Sequence, residues 1–325
     1  MSYLTSFLRT KTLFILALLP VLLLAACGGT GSGSAGTGSS SGSGSSSGSG
    51  SKVAITVGSK QDIEAQFLSR MDILLLRKAG FTVNEKLALG DSPIVLSAIK
   101  NGAIDLYPEF TVTGLNALGL KTSYNPQKDY QTVKDGFEKQ FKITWLDPAP
   151  LNDTYALCTS KQEADKLGVS SVSDLAPKVS QLTLASPSDG IAYVDNLKSS
   201  YNFDTKSFKG LQKVDYTIGF SAVSNNQAQV NVCYTTDGAV SKKNFVFLKD
   251  PKNGFPAFNP APIVRDEVLA KDPGIRDALN PLAKYLTTDV SIQLRNQVAQ
   301  KATSMSTTQA VKEVSTDFLK SKDLL

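Results

Sequence analysis

The sequence predicts an α/β protein built from two doubly wound sheets with flanking helices. Three observations support this prediction. Residues 53–107 alternate between strand and helix patterns in the order β-α-β-α-β, which is typical of a parallel sheet. A second α/β series begins at Tyr155, and proline-rich connectors at 147–150 and 254–262 lie on either side of it. One lobe inserted into another explains both connectors; two consecutive lobes is the alternative.

The first series begins where Val53, Ile55 and Val57 alternate with smaller residues, as in a half-buried strand. A helix with a broad apolar face follows and ends at Gly80. Ligands of such sheets bind at the carboxyl ends of the strands, which directs attention to the loops at 58–60 and 107–113. The predicted elements are strands at 53–57, 81–86, 104–107 and 143–146 and helices at 62–78, 93–101 and 129–141.

The second series has the same alternation of short apolar runs and helical patterns. After the second connector, Ile263 and Val264 precede sequence that is mostly helical to the C-terminus. The predicted elements are strands at 155–159, 182–185, 213–216, 229–234 and 245–248 and helices at 172–175, 191–201 and 219–228.

The N-terminus has the pattern of an export signal. Two basic residues precede an apolar run at 12–24, whose length of about 13 residues is short for a membrane span. The run ends in Leu24-Ala25-Ala26-Cys27, which resembles a bacterial lipobox. We therefore expect a lipoprotein signal peptide at 1–26, a lipidated Cys27, and a flexible Gly/Ser tether over 27–51. A plain secretory signal with an incidental cysteine is the alternative.

The composition excludes several classes of site. The chain contains no histidine, so it has no Ser-His-Asp triad, no Cys-His pair and no His-rich zinc site. Its formal net charge of +5 is too mild to indicate nucleic acid, and no basic cluster stands out. We expect no metal and no cofactor. Cys158 and Cys233 of an exported protein are expected to form a disulfide or to remain buried, inert thiols.

Five segments, in order along the body, resemble motifs of one protein family. This family comprises the substrate-binding lipoproteins of ABC importers for quaternary ammonium osmoprotectants, the glycine betaine/carnitine/choline type. Each segment alone is a weak match, but their common order behind a lipobox is specific. The segments are Ile55–Lys60, Asp105–Gly114, Leu146–Leu157, Tyr234–Gly238 and Phe255–Pro262.

The resemblance implies a two-lobed periplasmic-binding-protein fold of type II. Lobe 1 would comprise residues 52–150 and 259–325, and lobe 2 would be inserted at 151–258. The family binds its ligand between the lobes in a box of aromatic rings, which attract a quaternary ammonium by cation–π interaction. Carried over position by position, the ligand-binding residues here are Phe110, Thr113, Asp153, Tyr155, Tyr234 and Phe258.

The chain departs from the family pattern at several of these positions. Phe110 and Phe258 stand where the family has tyrosine, and Asp153 matches a family Asn. The segment 186–190 lacks the family arginine that meets a betaine carboxylate in some members. These departures keep open a second function, binding of another small amine or amino acid by the same fold. A surface hydrolase that uses carboxylates such as Glu109 and Asp237 is the least favoured alternative.

The resemblance also implies the partners and the location of the protein. It predicts a monomeric binding protein without enzymatic activity that delivers its ligand to ABC permease subunits. The lipid on Cys27 would hold it at the extracytoplasmic face of the cell membrane.

Overall fold

The computed structural model describes residues 52–238, 240 and 243–325. The predicted signal peptide, Cys27 and the tether lie outside these residues. Among the described helices, none combines the length and the apolar character that crossing a bilayer requires. The strands are β1 (Ala54–Gly58), β2 (Thr82–Lys86), β3 (Leu106–Phe110), β4 (Ile143–Trp145), β5 (Tyr155–Ser160), β6 (Thr183–Ser186), β7 (Gly210–Lys213), β8 (Val230–Tyr234), β9 (Phe245–Phe247) and β10 (Pro260–Arg265).

Helices separate most of the strands up to β8, and a group of four described helices follows β10 at the C-terminus. Short 3₁₀ helices lie at Ala176–Gln181 and Thr205–Ser207. The α-helices are α1 (Ile63–Lys78), α2 (Ser92–Lys100), α3 (Thr111–Ala117), α4 (Pro126–Phe141), α5 (Lys161–Leu167), α6 (Val172–Leu175), α7 (Gly190–Tyr201), α8 (Tyr216–Ser224), α9 (Asp266–Lys271), α10 (Gly274–Ala283), α11 (Thr288–Lys301) and α12 (Thr307–Ser321).

Two five-stranded sheets organise the chain. The first has the order β2-β1-β3-β10-β4 and the second has the order β7-β6-β8-β5-β9. The first sheet therefore takes strands from both sides of the segment that forms the second. We call the part of the chain that contains the first sheet lobe 1 and the part that contains the second sheet lobe 2. The boundaries expected at 150/151 and 258/259 stay a prediction.

The sequence pattern predicts parallel sheets, but both sheets also contain antiparallel pairs. β1 pairs in parallel with β2 and β3, but β10 pairs antiparallel with both β3 and β4. In the second sheet β5 is likewise antiparallel to β8 and β9. In each lobe the antiparallel strand directly follows a chain crossing, since β5 and β10 come after the two connectors. A strand that enters from the other lobe needs no helical crossover within its own sheet.

Several predicted elements differ from the observed ones, among them the helix expected at 219–228, which is α8 at Tyr216–Ser224. The strand expected at 213–216 is wrong, because β7 ends at Lys213 and α8 begins at Tyr216 after the extended residue Asp215. The loop expected at 107–113 consists of strand and helix, because α3 starts directly after β3. β3 itself continues through Pro108 to Phe110, paired with β10. Tertiary pairing extends this strand beyond the point where its local sequence suggests a turn.

The two crossing segments pair with each other. The amide of Leu146 donates to Pro262 O at 2.9 Å, and that of Ala149 donates to Pro260 O at 2.8 Å. Next to them Trp145 is fully buried, its ring 5.3 Å from that of Phe137. This packing fixes the start of the first crossing and the end of the second to the core of lobe 1.

Candidate functional site

A cavity of about 340 Å³ lies between the two lobes. Its walls come from strand ends, from the loop before α1, from the start of α2, from the first turn of α7, from α3 and from the crossings. All six residues that the sequence predicts as ligand contacts line it. The lining residues are Lys60, Gln61, Asp62, Asp91, Ser92, Phe110, Thr113, Asp153, Tyr155, Tyr193, Tyr234 and Phe258.

We call the five aromatic side chains of this wall the aromatic cage. Each reaches the cavity because of its place at an element boundary: Phe110 is the last residue of β3, Tyr155 is the first residue of β5, and Tyr234 is the last residue of β8. Phe258 lies in the second crossing, two residues before β10. The members of the cage are Phe110, Tyr155, Tyr193, Tyr234 and Phe258.

Tyr155 and Tyr234 form the centre of the cage. They are register partners on neighbouring antiparallel strands, with ring centroids 4.7 Å apart. Their hydroxyl oxygens lie 3.0 Å apart, and the Tyr155 hydroxyl donates to Asp189 Oδ2 at 2.9 Å. Burial is the largest cause that raises the pKa of both phenols. Both side chains are therefore neutral at physiological pH.

Tyr193 is the member of the cage that sequence reasoning missed. It lies in the first turn of α7, and its ring stacks on that of Tyr155 at a centroid distance of 4.3 Å. Its centroid is also 6.2 Å from that of Phe258. The helix over 191–201 is predicted correctly, and a first turn after a strand of the second sheet faces the cleft. That placement was the signal that could have identified Tyr193.

Phe110 interacts with a cation of the protein itself. The Nζ of Lys60 lies 4.9 Å from the centroid of the Phe110 ring. The same Nζ is 2.5 Å from Glu109 Oε1, and both groups are buried. Glu109 also accepts hydrogen bonds from Tyr107 and from the Phe110 amide. Through these contacts Glu109 stabilises the end of β3, which is a structural role. Asp237 lies outside the cavity lining.

Asp153 joins the cavity to a polar network that crosses between the lobes. It accepts a hydrogen bond from the Thr236 hydroxyl, and Arg295 Nη1 donates to Thr236 Oγ1 at 2.8 Å. Arg295 is also 3.7 Å from Glu64 Oε2, which accepts from Ser291. Burial is the main cause that raises the pKa of Asp153 and that raises the pKa of Glu64 to about 8.

Backbone contacts fix the positions of Asp153 and Phe258. The Asp153 amide donates to Phe258 O at 3.1 Å, and the Phe258 amide donates to Asn152 Oδ1 at 2.7 Å. These bonds tie the first crossing to the second. Thr113 lies on α3, one turn beyond Phe110, and completes the wall from lobe 1.

A larger cavity, of about 780 Å³, adjoins the first at Tyr193. It lies between α3 and α7, and the amides of Asn116 and Asn196 and the amine of Lys121 are among its polar walls. It contains one ring of the cage, so the smaller cavity is the better candidate for recognition of a cation.

The two body cysteines lie in lobe 2. Cys158 on β5 and Cys233 on β8 are bonded to each other, with Cα atoms 6.1 Å apart. Both are fully buried behind the strand ends that carry Tyr155 and Tyr234. In the described part of the chain, no group of three or more acidic or cysteine side chains is arranged to hold a metal ion.

Comparison with known proteins gives consistent matches over the whole body. The family described as the substrate binding domain of ABC-type glycine betaine transport system matches residues 53–321. The glycine betaine-binding protein YehZ of Escherichia coli is 30% identical over 284 residues, which are 82% of this chain and 90% of that protein. The carnitine transport binding protein OpuCC of Listeria monocytogenes is 29% identical over 245 residues, 73% of this chain and 79% of that protein.

Solved structures show the same fold. A crystal structure of a glycine betaine/carnitine/choline ABC transporter protein superposes with a TM-score of 0.73 at 25% identity, covering 83% of this chain and 99% of that chain. Apo YehZ of Escherichia coli superposes with a TM-score of 0.69 at 28% identity, covering 85% and 100%. The fold is the two-lobed, type II periplasmic-binding-protein fold.

Proposed function

The chain belongs to the family of substrate-binding domains of ABC-type glycine betaine transport systems, and we propose that its ligand is a quaternary ammonium osmolyte held in the aromatic cage. Candidate ligands are glycine betaine, choline and carnitine, compounds of the kind named for its relatives. The ligand would be delivered to the permease subunits of an ABC importer. Capture would bring the lobes together around it, by a hinge at the two crossings.

One observation supports this function above the others: five aromatic rings line a single cavity. A quaternary ammonium has no N–H group to donate, so a hydrogen-bond acceptor holds it poorly. Ring faces provide negative potential and apolar contact together, which suits its methyl groups. The cavity volume of about 340 Å³ lies within the usual range for small-molecule sites.

Calorimetric titration with glycine betaine, choline, carnitine and proline tests this function. We expect the compounds with methylated nitrogen to bind and Tyr155→Ala or Tyr234→Ala to weaken binding about thirtyfold, because a desolvated cation–π contact contributes about 2 kcal/mol. Tyr285→Ala is the matched control, since Tyr285 contacts Lys284 and Lys322 outside the cavity. Unchanged affinity in folded Tyr155→Ala and Tyr234→Ala proteins would contradict the proposal.

A second candidate is another small amine or amino acid bound by the same cavity. The phenylalanines at 110 and 258 and the absence of arginine from 186–190 favour it. The same titration separates the two candidates, because tight binding of a primary amine without a response to any betaine or choline would select this one.

We also propose that the mature protein is a monomer anchored outside the cytoplasmic membrane through a lipid on Cys27. The export pattern and the Gly/Ser sequence up to Ser51 support this location. At about 5–6 Å × √n, the tether would give the body a reach on the order of 25–30 Å from the membrane.

A further inference from the structure

Acidic side chains dominate the charge around the cage. Among the described residues that line the cavity, three are carboxylates, Asp62, Asp91 and Asp153, and Lys60 is the one cation. A fourth carboxylate, Asp189, lies behind the cage and accepts from the hydroxyls of Tyr155 and Tyr234 at 2.9 and 3.4 Å. The charge of this wall favours a positive ligand and disfavours a ligand carboxylate.

Lys60 does not offset this imbalance. Its ammonium is 2.5 Å from Glu109 Oε1 and lies over the Phe110 ring, with the whole residue 8% exposed. To meet a ligand carboxylate, it would have to weaken a buried ion pair, which is costly. The segment 186–190 contains no arginine and contributes Asp189 instead.

Arg295 is a second cation near the cage, and Asp153 separates it from the cavity. Lys121 belongs to the larger adjoining cavity and not to the lining of this one. Arg295 donates to Thr236, whose hydroxyl in turn donates to the Asp153 carboxylate. Asp153 lines the cavity, whereas Arg295 and Thr236 lie outside the lining. A ligand carboxylate in the cage would therefore meet the negative charge of Asp153 before the positive charge of Arg295.

We propose that this cavity selects quaternary ammonium ligands with a net positive charge, of the choline type, over zwitterions of the betaine type, and that Asp153 sets the preference. This inference rests on the proposed function, because it assumes that the cage binds the methylated nitrogen. Asp153 acts in two ways: it attracts the cation directly, and it prevents Arg295 from attracting a carboxylate. Asp62 and Asp91 at the rim add to the first effect.

Calorimetric titration of the wild type and of Asp153→Asn with choline and with glycine betaine tests the inference. The two ligands share the trimethylammonium group, but choline carries a neutral alcohol where glycine betaine carries a carboxylate. We expect the wild type to bind choline about tenfold or more tightly than glycine betaine, as a charge contact of roughly 1.4 kcal/mol implies. In Asp153→Asn the ratio should fall about tenfold, with weaker choline binding and tighter betaine binding.

Two further variants make the test specific. Asp165→Asn removes an exposed carboxylate of α5 that lies outside the cavity lining, and it should leave the ratio unchanged. Asp62→Asn keeps a side chain that can cap α1, so it serves if Asp153→Asn does not fold, and it should lower the ratio in the same direction by a smaller factor.

The outcomes distinguish this inference from the function on which it rests. Tighter binding of glycine betaine than of choline by the wild type overturns the inference while the proposed function stands. So does a ratio that neither Asp153→Asn nor Asp62→Asn changes. If neither ligand binds the wild type, the proposed function itself fails and the inference fails with it.

Discussion

At the scale of single residues, the members of the cage are not equivalent. One face of Phe110 already interacts with the Lys60 ammonium, 4.9 Å from the ring centroid. Tyr155 and Tyr234 contact each other and Asp189, and the Tyr155 ring also stacks on that of Tyr193. The sequence suggests that each aromatic position contributes a similar amount to binding. The Lys60 contact of Phe110 leads us to expect a larger contribution from the tyrosines.

Replacing aromatic side chains by leucine separates these roles. We expect Phe110→Leu to weaken binding of choline by less than about fivefold, because its ring face is shared with Lys60. Tyr234→Leu should weaken it by about thirtyfold, because a full cation–π contact is lost. Titration calorimetry on both variants measures the difference. Equal losses would show that the Lys60 contact does not limit the contribution of Phe110.

At the scale of secondary structure elements, α1 contains more polar character than an ordinary core helix. Asp62 caps its first turn, and its buried residues include the acidic side chains Glu64 and Asp72. Burial raises the pKa of Asp72 well above its usual value and that of Glu64 to about 8. Arg295, which is connected to Asp153 through Thr236, lies 3.7 Å from Glu64. The protonation state of Glu64 therefore changes the charge beside the hydrogen bonds that join the two lobes.

The stability of the protein should therefore fall as pH rises from mildly acidic values. The pKa of Glu64 is about 8 in the folded state against an ordinary value of 4.5, so the folded state binds more protons between these values. The stabilisation is complete below about pH 4.5 and is lost as pH rises through about 8. Glu64→Gln removes this group, so it should flatten the slope, which is at most about 1.4 kcal/mol per pH unit.

Urea unfolding between pH 5 and 9 measures the free energy of unfolding. Each buried acid binds roughly one proton more in the folded state than in the unfolded state over its part of this interval. Asp72→Asn gives a second flattened curve, because that carboxyl also has a raised pKa. A wild-type curve that rises with pH over this interval would contradict the assignment of a proton to these buried acids.

At the scale of the whole molecule, two features concern the exported protein rather than its cage. The bond between Cys158 and Cys233 closes a segment of 75 residues within lobe 2. The proposed signal peptide, lipid anchor and tether would attach the protein to a membrane, and they lie outside the described residues. Each of these features gives a separate prediction.

The cysteines should be oxidised in protein recovered from an oxidising compartment. Mass spectrometry without reductant should find no free thiol at Cys158 or Cys233. The Cys158→Ala, Cys233→Ala double variant should lose roughly 2–4 kcal/mol of stability, because the disulfide restricts a long loop in the unfolded chain. Two free thiols in the unreduced wild type would contradict this prediction. The folded double variant should bind choline with an affinity close to that of the wild type.

Cys27→Ser tests the lipid anchor. We expect the variant to lose its membrane association and to appear in the soluble extracytoplasmic fraction, because no acyl chain can be attached. Ser39→Ala in the tether is a control that should remain with the membrane. Retention of Cys27→Ser in the membrane fraction would indicate that another element holds the protein there.

The sequence by itself determined the properties that depend on local order. Alternating strand and helix patterns predicted the α/β class. The resemblance of five segments to one family predicted Phe110, Tyr155, Tyr234 and Phe258 as members of an aromatic box. Asp153 and Thr113 came from the same segments. Local patterns failed where tertiary pairing overrode them, as at β3, which continues through Pro108 to meet β10.

Only the tertiary structure decided which distant side chains meet at the cage. It placed Tyr193 against Tyr155, joined Lys60 to Glu109, and connected Arg295 to Asp153 through Thr236. These partners are separated by tens of residues or more, and their contacts depend on how two sheets and their crossings pack. A sequence pattern records the period of one element, whereas charge balance in a cleft depends on distances between elements. The aromatic character of the site is thus readable from the sequence, and its electrostatic selectivity arises from the fold.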